Sequence, residues 1–154
     1  MKIALGVDHA AFTYKETIRQ TIEALGHEAL DLGAESAESV DYPCYALAVA
    51  QAVRKGDAEL GIFICGTGIG GSITANKVPG IRAALCHESY TARMSRLHNN
   101  ANVLCFGARV VGVGLAAEIV QTWLSTPFSG EERHIRRLRM IADVEQERER
   151  GGNA

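Results

Sequence analysis

The sequence predicts an α/β fold built on a parallel sheet of five strands, and two observations carry that prediction. Short apolar runs alternate with helix-length amphipathic stretches from one end of the chain to the other, the pattern of repeated βα units. The most continuous of these runs, "LGIFIC", has no polar alternation, as expected of a strand covered on both faces. With 154 residues and 47% hydrophobic content the chain is expected to form one domain, residues 1–154, around one core.

Each element follows from local signals. "KIALGVD" reads as the first strand. A helix over Phe12 to Leu25 comes next, with Ile18, Ile22 and Leu25 at helical spacing and Gly26 as its stop. "HEALDLG" reads as the second strand. Pro43 suits the first turn of the next helix, whose stripe of Ala46, Val49, Ala50 and Val53 runs to "RKGD". After the third strand come a short helix over Ile69 to Asn76, a turn at "VPG", a strand "IRAALC", a helix over Glu88 to Leu97 and a strand "NVLCFG". A helix from Gly112 to Leu124 is expected to turn Leu115, Ile119 and Val120 inward, with Pro127 and Gly130 marking its exit. The last segment, about 131–148, is helical in propensity and strongly charged. Its apolar stripe of Ile135, Leu138 and Ile141 is thin, which suits packing across a homo-oligomer contact or a solvated tail fraying after Glu145.

Composition excludes several classes. A net charge of −2 gives no global attraction to nucleic acid or anionic membrane. No long uncharged apolar run exists, and the start meets charge at Asp8, too soon for the core of a signal peptide. A cytoplasmic protein is the expectation. Cys44, Cys65, Cys86 and Cys105 are spread widely, without a CxxC pair or a Cys/His cluster at metal-ligand spacing. They read as reduced thiols, three of them in or beside apolar segments.

In parallel α/β sheets ligands bind outside the carboxyl ends of the strands. The candidates there are Asp8 and His9 after the first strand, and Cys65 with its glycine loop after the third. Cys86 and His87 follow the fourth. The fifth is preceded by His98, Asn99 and Asn100 and followed by Gly107 and Arg109. Several of these groups are expected to converge on one crevice. Gly66, Gly68, Gly70 and Gly71 let backbone N–H groups point at an anion or an oxyanion. The loop is no P-loop, since no GK[ST] follows, and "ALCHE" stands where a dinucleotide site needs its acidic residue. Cys65 has three readings: a buried structural thiol, a nucleophile, or a general base facing the amides. The glycine loop makes the third coherent, because those amides would stabilise the oxyanion that proton abstraction creates. Arg133 and Arg137 stand at i and i+4, the spacing of a two-pronged phosphate clamp, although such a basic cluster is usually a solvated face.

The strings "GVDHAAF", "DYP", "ICGTGIGGSITANKVPGIRAAL", "SRLHNNANVLCFGARVVG" and "RHIRRL", in this order, closely resemble the type B ribose-5-phosphate isomerases and their sugar-phosphate isomerase relatives, over Lys2 to about Glu147. The resemblance implies a Rossmann-like three-layer αβα sandwich with an extra C-terminal helix that packs on a partner subunit, in a homodimer or homotetramer. It implies catalytic roles for Cys65 as the base between C2 and C1, for Thr67 at the hydroxyl protons, and for His98 in opening the furanose ring. The amides of Gly66, Gly68, Gly70 and Gly71, with Asn99, would hold the enediolate. Asp8, His9 and Tyr42 would line the substrate, and His9, Arg109, Arg133 and Arg137 would meet the phosphate, the last two from the other subunit. No metal and no cofactor are expected. Two mild departures are Ala11, where glycine is common, and Thr74, which adds a hydroxyl near the loop helix.

The implied reaction interconverts ribose 5-phosphate and ribulose 5-phosphate. Relatives act on galactose 6-phosphate, allose 6-phosphate and erythrulose 4-phosphate. A four-carbon aldose 4-phosphate cannot close a furanose ring, so His98 argues for a cyclising substrate of five or more carbons. A six-carbon aldose 6-phosphate is the alternative, and a non-catalytic sugar-phosphate-binding module is the alternative of another class.

Overall fold

The structure, a computed structural model, describes residues 1–151; residues 152–154, the end of the expected domain, lie outside the described residues. The strands are β1 (Lys2–Val7), β2 (Glu28–Asp31), β3 (Leu60–Cys65), β4 (Ala83–Leu85) and β5 (Val103–Gly107), all parallel in the order β2-β1-β3-β5-β4. The helices are α1 (Lys15–Ala24), α2 (Tyr42–Lys55), α3 (Ile69–Ala75), α4 (Ser89–Leu97), α5 (Val113–Leu124) and α6 (Glu132–Gly151). Ile3, Leu5, Ile62, Ile64, Leu104 and Phe106 form one core with α1 and α5, and Ala4, Phe63, Cys65, Val103 and Cys105 form another with α2 and α3. These two cores make the three expected layers.

Several boundaries move for visible reasons. The expected helix over Phe12 to Leu25 begins instead as a 3₁₀ segment, His9–Tyr14, because the Asp8 carboxylate caps it by accepting from the N–H groups of Ala10 and Ala11 at 2.9 and 3.2 Å. The Tyr14 hydroxyl then ties this segment to the carbonyls of Ala108 and Val111. Leu115, expected inside, is exposed. The buried face of α5 is Ala116, Ile119, Val120 and Trp123, an i, i+3, i+4, i+7 set that passes Leu115 by one position. Glu88 stands outside α4 as its cap, accepting from Tyr90 and Thr91. The last helix continues past Glu145 to Gly151, and the Glu145 carboxylate accepts from the Gly80 N–H at 3.0 Å. Cys65, Cys86 and Cys105 are buried and Cys44 is exposed.

Strand direction decides what can meet what. Segments that leave a strand lie at one end of the sheet, and segments that enter a strand lie at the other. The chain runs from β1 to β2 on one side and returns to β3 on the other, so a crevice opens at the carboxyl ends of β1 and β3. No helix among the described residues is long and apolar enough to cross a membrane.

Candidate active site

A cavity of about 500 Å³ occupies that crevice, lined by Asp8 and His9 after β1, Tyr42 at the start of α2, Cys65, Gly66 and Thr67 after β3, Gly70 in α3, and Arg109 after β5. Eight of the residues expected at the site are thus brought together. Asp8 is buried, and one carboxylate oxygen is spent on capping. The His9 ring accepts the Val40 N–H through Nδ1 at 3.2 Å, so in the neutral ring the proton sits on Nε2. That nitrogen is left as a donor.

The loop after β3 is built around the sulfur. Cys65 is only 4% exposed, and the Gly68 N–H donates to its Sγ at 3.2 Å. A thiolate accepts such a bond well. Gly68 makes it from left-handed backbone, φ +76°, with the Leu85 side chain and the Phe106 backbone packed against its Cα. Gly70 and Gly71 stand in the first turn of α3, where backbone N–H groups have no acceptor four residues back. At Gly71 an added Cβ would strike the buried Phe63 ring, 3.7 Å from the cysteine sulfur, and at Gly70 it would strike the Tyr42 ring. Arg109 lies over Gly66, its guanidinium about 3.5 Å from where a Cβ would stand. The arrangement places a cysteine sulfur, open amide donors and a cationic group in one cavity. This suits proton abstraction next to a carbonyl in an anionic substrate. Burial pushes the Cys86 and Cys105 thiols up, so those two stay protonated. The Thr74 hydroxyl donates to the Gly70 carbonyl at 2.8 Å, within its own helix.

His98, Asn99, Arg133 and Arg137 do not line this cavity. The bend containing His98 and Asn99 leaves α4 and enters β5 at Val103, the end of the sheet opposite Cys65, which pairs with Gly107. The expectation that His98 and Asn99 converge on the Cys65 crevice is not met within one chain, by strand direction alone, and Arg133 and Arg137, expected from the other subunit, stand on α6. They gather instead around α6. The His98 ring packs on the His134 ring with centroids 4.4 Å apart, and the His134 Nδ1 meets the Ser129 hydroxyl at 2.8 Å. Burial, then the neighbouring charges of His98 and Arg133, lower the pKa of His134. Asn99 lines a second cavity, about 380 Å³, with Arg82, Ile141, Val144 and Glu145.

The ribose/galactose isomerase family model matches residues 3–141. The chain belongs to the ribose/galactose isomerase family. This isomerase is 50% identical over 147 residues to ribose-5-phosphate isomerase B of Escherichia coli, covering 96% of this chain and 98% of the relative. The solved structure of Clostridium thermocellum ribose-5-phosphate isomerase B superposes with a TM-score of 0.92 at 52% identity, covering 96% of this chain and 99% of that one. A D-erythrulose-4-phosphate isomerase of Pectobacterium atrosepticum is 44% identical, covering 84% of this chain and 86% of the relative.

His87, a candidate from its place after the fourth strand, and two residues without a sequence signal of their own, His134 and Arg82, also contribute to the isomerase's two clusters. His87 bonds the Thr67 carbonyl through Nε2 at 3.1 Å, which requires the proton on that nitrogen. His134 sits inside the "RHIRRL" string but shows its partner only once α6 is placed against α4. Arg82 reaches the carbonyls of Asn99 and Asn100, residues 17 and 18 positions further along the chain. Among the described residues no group of three His, Cys, Asp or Glu side chains stands close enough to hold a metal ion.

Proposed function

We propose that this isomerase interconverts ribose 5-phosphate and ribulose 5-phosphate through a cis-enediolate, with Cys65 as the base. The observation that carries the chemistry is the Cys65 sulfur in the cavity floor, bonded by the Gly68 N–H and faced by the first turn of α3. Cys65 as thiolate takes the C2 proton of the open-chain aldose. The electron pair shifts to the C1–C2 bond, and the aldehyde oxygen becomes the enediolate oxygen, held by the amides of Gly66 to Gly71. Thr67 moves a proton between the two oxygens, and the Cys65 thiol returns its proton to C1, leaving the ketone at C2. Asp8 and Tyr42 line the sugar, and His9 and Arg109 meet the phosphate end. Local donors of this kind attract a dianion although the whole chain carries net charge −2.

In this reading the enzyme works as a cytoplasmic homodimer in which a second copy completes each site. Its His98 opens the furanose, its Asn99 adds a donor to the enediolate, and its Arg133 and Arg137 clamp the phosphate. The separation of these residues from Cys65 within one chain supports that arrangement. The names of the Escherichia coli and Clostridium thermocellum relatives support the five-carbon sugar. The Pectobacterium relative's name points to four carbons, and His98 weighs against it here, because that aldose has no furanose ring to open.

A panel of ribose 5-phosphate, allose 6-phosphate, galactose 6-phosphate and erythrulose 4-phosphate tests the proposal with wild type, Cys65→Ala and His98→Asn. Ribose 5-phosphate should give the highest kcat/KM, and Cys65→Ala should lower it by about two to four decades. Normal turnover by Cys65→Ala sinks the base assignment. A higher kcat/KM on a six-carbon substrate reassigns the sugar, and tight binding with no turnover returns the chain to a binding module.

A further inference from the structure

The bend that carries His98 and Asn99 is tied to the sheet by one guanidinium. Inside the bend Asn100 has φ +44°, the only non-glycine residue with positive φ among those described. A residue with a side chain stays in that conformation when its surroundings impose it. Here they do. Arg82, at the foot of β4, donates from Nε to the carbonyls of Asn99 and Asn100 at 3.2 and 3.1 Å, and from Nη2 to the Asn100 carbonyl at 2.9 Å.

The stem of Arg82 is itself fixed. Its backbone N–H donates to the Asn102 side-chain oxygen at 2.7 Å, and the Asn102 amide donates onward to the Gly80 carbonyl at 2.9 Å. The guanidinium is half-buried, and Glu145 on α6 is the carboxylate whose charge favours it. Arg96 braces the other side of the bend: Nη1 donates to the Asn100 side-chain oxygen and to the Ala101 carbonyl, and the guanidinium lies over the Trp123 ring. Arg96 thus ties the bend to α5, whereas Arg82 ties the carbonyl of Asn99 itself to the sheet.

We propose that Arg82 is a positioning residue for the isomerisation, its guanidinium fixing the Asn99 and Asn100 carbonyls so that His98 and Asn99 face the sugar. The inference rests on the reading that His98 and Asn99 act on the substrate. Neither group tolerates much displacement, since a shift of about 1 Å in a catalytic group costs on the order of a hundredfold in rate. With the guanidinium gone, the Asn99 and Asn100 carbonyls lose their donors, Arg96 alone braces the bend, and its left-handed backbone is freer to relax toward ordinary geometry. The phosphate contacts proposed for Arg109, Arg133 and Arg137 lie elsewhere, so the loss falls on kcat.

The test is a double-mutant cycle on ribose 5-phosphate. Arg82→Met and Arg82→Lys are made in wild type and in a His98→Ala/Asn99→Ala background, with folding checked by circular dichroism. Arg82→Met should lower kcat by about ten- to a hundredfold while KM stays within about threefold, and Arg82→Lys should recover part of the loss. In the doubly substituted background the same Arg82→Met change should cost less than about threefold. An unchanged kcat for Arg82→Met, or an equal loss in both backgrounds, overturns the proposal. If His98→Ala/Asn99→Ala alone turns over at the wild-type rate, the underlying reading of those residues falls instead, and that result is visible before Arg82 is touched. Should Arg82→Met fail to fold, Arg82→Lys read in the same two backgrounds decides the question.

Discussion

A pair of inactive chains should make an active dimer when, and only when, their lesions lie in different chains. Cys65 pairs with Gly107 at one end of β5, while the His98 bend feeds Val103 at the other. The four residue steps between span about 13 Å at about 3.3 Å per residue, whereas both groups must come within roughly 3 Å of neighbouring atoms on one small sugar. A Cys65 and a His98 of the same chain therefore cannot serve one sugar. In a twofold dimer of one Cys65→Ala chain and one His98→Ala chain, one site combines the two lesions and the other combines two intact residues. Co-expression with different affinity tags and tandem purification isolates that heterodimer. Its kcat per dimer should be about half that of wild type, since one site of two is whole. A heterodimer of wild type with a Cys65→Ala/His98→Ala chain has one lesion in each site and should stay near the level of the single variants. If each chain held a whole site the two results would exchange, the first heterodimer dead and the second half-active. That exchange would refute the shared site.

Two further outcomes test parts of the same structure. Gly68→Ala must hold left-handed backbone and crowd Leu85 and the Phe106 backbone at 2.6 and 2.7 Å, so unfolding should come about 4–20 °C earlier and kcat should fall with the Gly68–Cys65 bond, whereas Gly114→Ala in open space should leave both unchanged or slightly improved. Parallel melting curves for Gly68→Ala and wild type would mean the loop does not need its glycine. The lowered pKa of His134 has a definite sign: the unfolded chain takes up a proton near pH 6.5 more readily than the folded one, so stability falls as pH drops from that value toward the lowered one. Differential scanning fluorimetry should show His134→Gln losing less Tm than wild type over that interval, and equal losses would remove His134 from the pH response.

The expected residues that one chain brings together are those whose signal is local. The glycine loop, the cysteine before it, and Asp8 and His9 after the first strand all follow from a strand ending where ligands bind, and they meet in one cavity. Leu115 misread for a local reason as well. A helical stripe is known only to within a residue of phase, and Ala116 holds the place that Leu115 was given. His98 stands apart from that cavity in its own chain for a topological reason: the bend enters a parallel strand, which puts it at the end opposite the exits of all the others. Strand direction was already implied by the βα alternation, so the signal existed. Arg82 and His134 are different, since each acts on a segment that only the pairing of β4 with β5, or the seating of α6 at the end of α4, brings near.

Exposed apolar side chains mark both halves of the proposed site. On α3, Ile69 and Ile73 stand at i and i+4 beside the Cys65 cavity, 51% and 55% exposed. On α6, Ile141 and Val144 line the cavity that Asn99 shares, and Met140 is exposed beside them. A lone chain leaves all five largely in water, although fully burying each would contribute on the order of 1.5–3 kcal/mol. The two segments that carry the incomplete chemistry are thus the two that gain from contact with another surface. In the proposed dimer one association satisfies both demands: the arginines and histidine of one copy reach the sugar held by the other, and the apolar rims that bring them there leave solvent. The thin stripe of α6, weak as a reason to pack on its own chain, then has its explanation in the neighbouring one.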